Sequence, residues 1–436
     1  MNRLIISRKN VTLFLVVVCF ILIIHCFFLF PFPEFAEKIF ERNICFGISI
    51  IAIFMYLITF KYKSIKFIDY FCFYILMAYF VLLFYSLMKY SNQDFKDIII
   101  AASGILGFLI VRPIYIILTE NKKCFLVLVF AYLLIGTIWN FIVVIQDAVY
   151  LHSSSIFLHQ YFYDDQILIS NRLDSLHIRI GLTFEYAPII ALSFLIISTK
   201  KVFGRYNSCV KLFLVIALLI TIYSQIYINQ SRMRLMIYCV SAILVLIFKI
   251  KQNWFRFLIL VFLALVIPLL IRFNFISFND IFSTNSSNLD YSTSNAAHYY
   301  EYELGINFFK ENILFGHGLV SGKLYSQAYN VSGVQFYHSD CGIIGTLAVS
   351  GLIGAMLYVI PGIYFIIKMK RVYFKEYFCL YIGLLFSYLL HFISLQSITG
   401  NGCVELGFVF ALLQFLVTKS GDQYGNDRCF YYFGKL

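Results

Sequence analysis

The run VTLFLVVVCFILIIHCFFLF, residues 11–30, decides the fold class. An α-helix needs about 20 apolar residues to cross the hydrocarbon of a bilayer, and this run has that length. Arg3, Arg8 and Lys9 precede it and no small-residue cleavage site follows, so it reads as a retained first span rather than a removed signal peptide. Runs of the same kind recur as far as Lys419. In lipid only helices and closed barrels satisfy every backbone group, and continuous rather than alternating apolar runs select helices. Composition agrees: the 436 residues are 61% hydrophobic and 13% charged, with a mean hydropathy of +0.85. Soluble domains average about 45–50% apolar and about 25% charged, so a water-soluble protein is excluded.

Spans are expected near 11–30, 44–60, 67–88, 98–119, 124–146, 180–198, 211–228, 235–249, 254–272, 341–368, 376–395 and 403–418. That is an all-α polytopic bundle of about twelve crossings by the length criterion. With both termini in the cytoplasm, 22 of the 34 Lys and Arg residues lie inside and 11 outside, Arg112 falling within a span. This excess obeys the positive-inside rule. It also accounts for the net charge of +12 without a nucleic-acid partner. The expected organisation is spans 1–9 over residues 1–272, with a smaller periplasmic loop at 147–179. A large periplasmic loop at 273–340 follows, then spans 10–12 over 341–418 and a cytoplasmic tail at 419–436. The 11 cysteines are scattered without a CxxC pair, which suggests packing residues rather than disulfides or a zinc site.

Six of the eight histidines sit in the two outer loops. In the larger one, Ala297, Tyr300, Leu304 and Phe308 make one apolar stripe if the segment is helical. Such a helix lies on the membrane surface or on the bundle, and Gly316-His317-Gly318 ends it. His338 stands just before hydrophobicity resumes, where Ser339 or Asp340 could cap the next helix. A helix N-terminus disfavours imidazolium and attracts phosphate, so a neutral proton acceptor is expected there; a plain boundary histidine is the alternative. Arg232 and Arg234, in NQSRMR (229–234), occupy a short outer turn where the orientation rule disfavours cations. Arginine grips phosphate bidentately. Arg179 and Glu185, in RIGLTFEYA (179–187), lead into the sixth span from outside. Headgroup snorkelling or an Arg179–Glu185 pair would explain these without a ligand. Arg112 reads as structural. There is no Walker loop, Asp164-Asp165 is an isolated acidic pair, and Glu34, Glu37 and Glu41 form no DxD-like cluster. Neither a cofactor nor a metal site is therefore expected.

Together these features resemble the bacterial O-antigen polymerase and O-antigen ligase superfamily of integral membrane glycosyltransferases. NQSR (229–232) is similar to the family's Gln-Ser-Arg turn, and RIGLTFEYA to its Arg-x-x-Gly-type motif before a central span. YEYELGINFFKENILFGHG (300–318) resembles its loop helix and Gly-x-Gly turn, and HSDCGIIGTLAVSGLIG (338–354) its histidine motif followed by Gly-x-x-Gly. The resemblance implies a multi-pass protein of the bacterial inner membrane acting on undecaprenyl-pyrophosphate-linked saccharides. A chain-length regulator and membrane lipids are its candidate partners. It maps the catalytic base onto His338, pyrophosphate contacts onto Arg232, Arg179 and Arg234, and supporting roles onto Glu185, His298 and Asp340.

Departures favour polymerase over ligase. His298 stands where the family often has a loop-helix arginine, and the spacing from His338 to Gly351 is longer than in the ligase motif. The alternatives are the ligase, which uses lipid A core as acceptor, and a lipid-linked oligosaccharide flippase. A flippase would show two similar halves and charged residues inside many spans. A non-catalytic scaffold would leave the outer arginines and His338 unexplained.

Overall fold

The computed structural model describes residues 8–23, 34–59, 66–91, 95–120, 123–155, 169–171, 178–180, 184–197, 207–229, 232–249, 289–331, 334–338, 341–372, 375–394 and 402–418. The helices are α1 (Arg8–Ile23), α2 (Glu34–Thr59), α3 (Lys66–Lys89), α4 (Phe95–Ser103), α5 (Val111–Glu120), α6 (Lys123–Ser153) and α7 (Ala187–Ile196). They continue with α8 (Asn207–Tyr223), α9 (Arg232–Lys249), α10 (Leu289–Glu311), α11 (Gly322–Ala328), α12 (Gly342–Lys368), α13 (Phe378–Ser394) and α14 (Gly402–Val417). Two short antiparallel hairpins join them: β1 (Ile169–Asn171) with β2 (Ile178–Ile180), and β3 (Asn330–Val331) with β4 (Val334–Gln335).

Among the described residues, five helical stretches are long and apolar enough to cross a membrane: Phe67–Lys89, Phe95–Thr119, Lys123–Ser153, Asn207–Ile228 and Gly342–Arg371. Five more are shorter and apolar. The expected ninth span, 254–272, lies outside the described residues. α3 turns Phe73, Phe80 and Phe84 outward, the surface a lipid-facing helix presents. α14 is buried from Cys403 to Leu416, as a helix apolar on all sides must be.

Three boundaries differ from the expectation. α2 begins at Glu34 rather than near 44; its sequence puts Glu34 and Glu37 in the first turn, where acidic residues complement the helix dipole. The expected helix from 180 is a strand at 178–180, and α7 starts only at Ala187 with Pro188 in its first turn. The fourth span is not one α-helix: residues Gly104–Ile110 tighten to a 3-10 helix between α4 and α5. Close packing accompanies that tightening, since a Cβ on Gly107 would lie 3.0 Å from Val404 and one on Gly407 only 2.5 Å from Ile110.

α12 is broken at Gly351, whose φ of 58° and ψ of −156° leave the helical region. The break frees two helical rungs, and residues 313–318 fill both. His317 and Gly318 donate their N–H groups to the carbonyls of Ala348 (2.7 Å) and Val349 (3.0 Å). Leu352 and Ile353 in turn donate to the carbonyls of Ile313 (2.9 Å) and Leu314 (3.2 Å). A buried backbone group without a partner costs several kcal/mol in an apolar medium, so this exchange is what lets residues 313–318 pack against the broken helix. Gly351→Ala places a Cβ against the carbonyl of Leu314 in a backbone region that only glycine favours. It is expected to destabilise by at least about 1–3 kcal/mol, read as a lower unfolding midpoint in detergent. Gly47→Ala, with open space around it, serves as the control; equal midpoints would mean the kink can relax.

Candidate functional site

A carboxylate from α14 organises the turn before α7. Glu405 accepts hydrogen bonds from the N–H groups of Phe184 (2.9 Å) and Glu185 (3.0 Å) and from the Tyr132 hydroxyl (2.7 Å). Phe184 has a φ of 64°, a left-handed conformation costly for a bulky residue. Its ring packs on Tyr132 at 4.7 Å and against Gly136, where an added Cβ would lie 2.9 Å away. Strain of this sort persists only where the surroundings over-determine it. The turn aims Glu185 at Arg234, whose Nη2 lies 2.9 Å from Oε1. On the other carboxylate oxygen, Nε2 of the fully buried His391 stands at 3.6 Å. His391 Nδ1 lies 2.8 Å from the Ser387 carbonyl. That oxygen only accepts, so Nδ1 carries the proton.

The other arginines approach this cluster by backbone. α8 ends in a π-helical turn, Ser224–Asn229, a rare geometry that is frequent at functional sites. β2, which carries Arg179 opposite Ser170, packs against that turn, as does the start of α9 at Arg232.

His338 sits where the loop rejoins the bundle. Its Nδ1 is 3.0 Å from the Tyr325 hydroxyl, and its N–H donates to the same oxygen at 3.4 Å. The helix it precedes begins at Gly342 after Cys341. Cys341 is therefore the N-cap, in place of the expected Ser339 or Asp340, and it makes no side-chain capping bond. Ser339 and Asp340 lie outside the described residues. His338 keeps partial exposure, yet burial of its surroundings pushes the imidazole down to about 4. The downward direction favours the neutral ring, and its cause is burial rather than the helix end.

Both clusters lie at one end of the bundle. A Cβ on Gly342 would run into the carbonyl of Ile393, two residues beyond His391 on α13. α13 also packs against α9 and α7. α7, α9, α12 and α14 therefore start, and α8 and α13 finish, at the end that carries the site. α10 lies on the bundle rather than apart from it. Leu304 and Phe308 are buried, and a Cβ on Gly305 would meet Ile344 at 2.8 Å. His298 is on α10. His317 is a structural pin: Lys89 and Glu311 lie 2.9 and 2.7 Å from its Nδ1, and Nε2 is 3.1 Å from the Ala328 carbonyl. Arg112 is also structural, donating through Nε to Asp69 at 2.9 Å and through Nη1 to the Thr59 carbonyl.

Sequence reasoning missed Glu405, His391, Tyr132 and Tyr325. The signal for the first two was present: single ionisable residues inside apolar runs are functional candidates by default. Among the described residues Glu185 pairs with Arg234 and has Nε2 of His391 at 3.6 Å; the side chain of Arg179, and with it the Arg179–Glu185 pair considered from sequence, lies outside the described residues.

The fold and this polar end define a helical, multi-pass membrane protein. Residues 212–359 match the family model described as O-antigen ligase, so that segment is similar to this family. The matched segment runs from α8 through Arg232, Arg234, His298, Tyr325 and His338 past the break in α12, and leaves Arg179, Glu185, His391 and Glu405 outside it. No curated protein matches the chain.

Proposed function

We propose that the chain polymerises undecaprenyl-pyrophosphate-linked repeat units into O-antigen or a related surface polysaccharide at the periplasmic face of the inner membrane. Twelve crossings with cytoplasmic termini and the four-part division of the chain belong to the same reading, which puts Arg232, Arg234 and His338 outside. The observation that carries it is the placement of His338, its Nδ1 3.0 Å from the Tyr325 hydroxyl, at the end of the bundle that also holds Arg234 and Glu185.

The acceptor sugar's hydroxyl attacks the anomeric carbon of the donor and its proton passes to His338. The bond from that carbon to the pyrophosphate breaks, and its electron pair leaves with the lipid pyrophosphate. Arg232 and Arg179 neutralise the departing charge, as preorganised cations stabilise a transition state. Glu185 fixes Arg234 beside them, while His298 and Asp340 support the loop side of the site. No metal takes part in this scheme. The ligase alternative uses the same groups with lipid A core as acceptor; the altered histidine spacing and His298 favour the polymerase.

The deciding experiment is the lipopolysaccharide pattern of a deletion strain. Core bearing one repeat unit is expected. Bare core would establish the ligase instead, and lipid-linked units retained in the cytoplasmic leaflet the flippase. Complementation with wild type should restore long chains and Arg232→Lys should not, because an ammonium lacks the bidentate geometry of guanidinium. A fully active lysine variant would reduce Arg232 to a headgroup contact.

A further inference from the structure

We propose that Tyr325 is the positioning residue of His338, fixing the ring in the tautomer whose Nε2 accepts the proton. Tyr325 has one hydroxyl proton and two neighbours for it, the Phe336 carbonyl at 2.5 Å and His338 Nδ1 at 3.0 Å. A carbonyl can only accept, so the shorter contact takes the proton. The hydroxyl oxygen then accepts from the His338 backbone N–H and from Nδ1, which must carry hydrogen. The lone pair is left on Nε2. A histidine's reactive nitrogen is commonly set this way, by the bond its other nitrogen makes.

The surroundings hold the hydroxyl in place. Tyr325 lies on α11, whose preceding residue Ser321 donates through its side chain to the Asp97 carbonyl at 2.8 Å. Its ring packs on Tyr329 at 4.9 Å and on His338 at 5.4 Å. Tyr329 in turn donates to the Gly318 carbonyl at 2.6 Å, tying the pair to the turn that fills the break in α12. Burial raises the Tyr325 hydroxyl above its ordinary range, so it stays protonated and does not compete as a base.

This inference rests on the proposed role of His338, and its test separates the two. Histidine-labelled protein in lipid nanodiscs is examined by ¹⁵N NMR at neutral pH, the His338 signals being those absent from His338→Gln. The expected wild-type spectrum has Nδ1 protonated and Nε2 bare. In Tyr325→Phe, which removes only the hydroxyl, the His338 pair should shift towards the other tautomer while the remaining histidines stay put. Polysaccharide formation should fall about 10- to 100-fold, the range typical of a group that orients a reactive histidine. A wild-type ring protonated on Nε2, or a His338 signal unmoved in Tyr325→Phe, would overturn the pairing; the wild-type spectrum decides even if the variant fails to fold. The expected tautomer together with normal chains in His338→Gln would instead retire the base and leave the pair standing.

Discussion

His338→Ala abolishes long polysaccharide, as an expected result, while the protein accumulates at its ordinary level. A positioned general base contributes about 10²–10⁴-fold, enough to reduce chains to single repeats. The fold should tolerate the loss. His338 is partly exposed, and the Tyr325 hydroxyl retains its bond to the Phe336 carbonyl, so that donor is not stranded. The pH dependence makes the prediction sharper. Because burial holds the imidazole at about 4, the free base persists throughout the neutral range, and the acid limb of kcat/KM should fall near pH 4 rather than near the ordinary value of about 6.5. Such a weak base takes its proton only as bond formation acidifies the attacking hydroxyl. The stability sign follows from the same shift. The unfolded chain binds this proton more readily than the folded one, so acid destabilises the fold progressively from about pH 6.5 towards pH 4. Normal chain-length ladders in His338→Ala, with protein present in the membrane, would end the base assignment.

The helices were legible because each satisfies its own backbone, and an apolar run of sufficient length therefore announces itself locally. Positions of the spans around Phe71, Val129, Val349 and Leu412 follow from composition alone. What was not legible depends on partners far along the chain. Glu405 serves N–H groups 221 and 220 residues away, and a single carboxylate among apolar neighbours carries no mark of that task. Gly351 was visible as part of a glycine pattern. That the break there is filled by the turn after α10 could not be read, since it requires four backbone bonds between segments with no local signature. The sixth span illustrates the reverse error: the apolar run from 180 suggested helix, whereas residues 178–180 pair as a strand with 169–171. His338 and Arg234 were singled out by residue type and expected sidedness, whereas the Tyr325 hydroxyl beside the one and the Glu185 carboxylate beside the other needed coordinates to be matched to them.

Glu405→Ala is expected to produce the largest loss of stability. The substitution leaves the N–H groups of Phe184 and Glu185 and the hydroxyl of Tyr132 without their acceptor in a fully packed interior. Each buried donor so stranded costs about 1–3 kcal/mol, against a total stability of about 5–15 kcal/mol for a typical domain. The strained Phe184 backbone, φ 64°, also loses one of its restraints. Glu405→Gln separates hydrogen bonding from shape. Its amide has one accepting oxygen, so in either orientation the NH₂ confronts a backbone N–H, from Phe184 or from Glu185. The amide variant should therefore fall between wild type and alanine in unfolding midpoint. It should also lose activity beyond its loss of stability, because the turn that aims Glu185 at Arg234 is no longer fixed. Glu376→Ala, at an exposed carboxylate, should change neither quantity. A double-mutant cycle with Tyr132→Phe isolates the shared bond, since groups in direct contact show non-additive effects. If Glu405→Ala unfolds at the wild-type temperature, the turn before α7 is held by the packing of Phe184 on Gly136 and Tyr132, and the carboxylate's role is confined to charge.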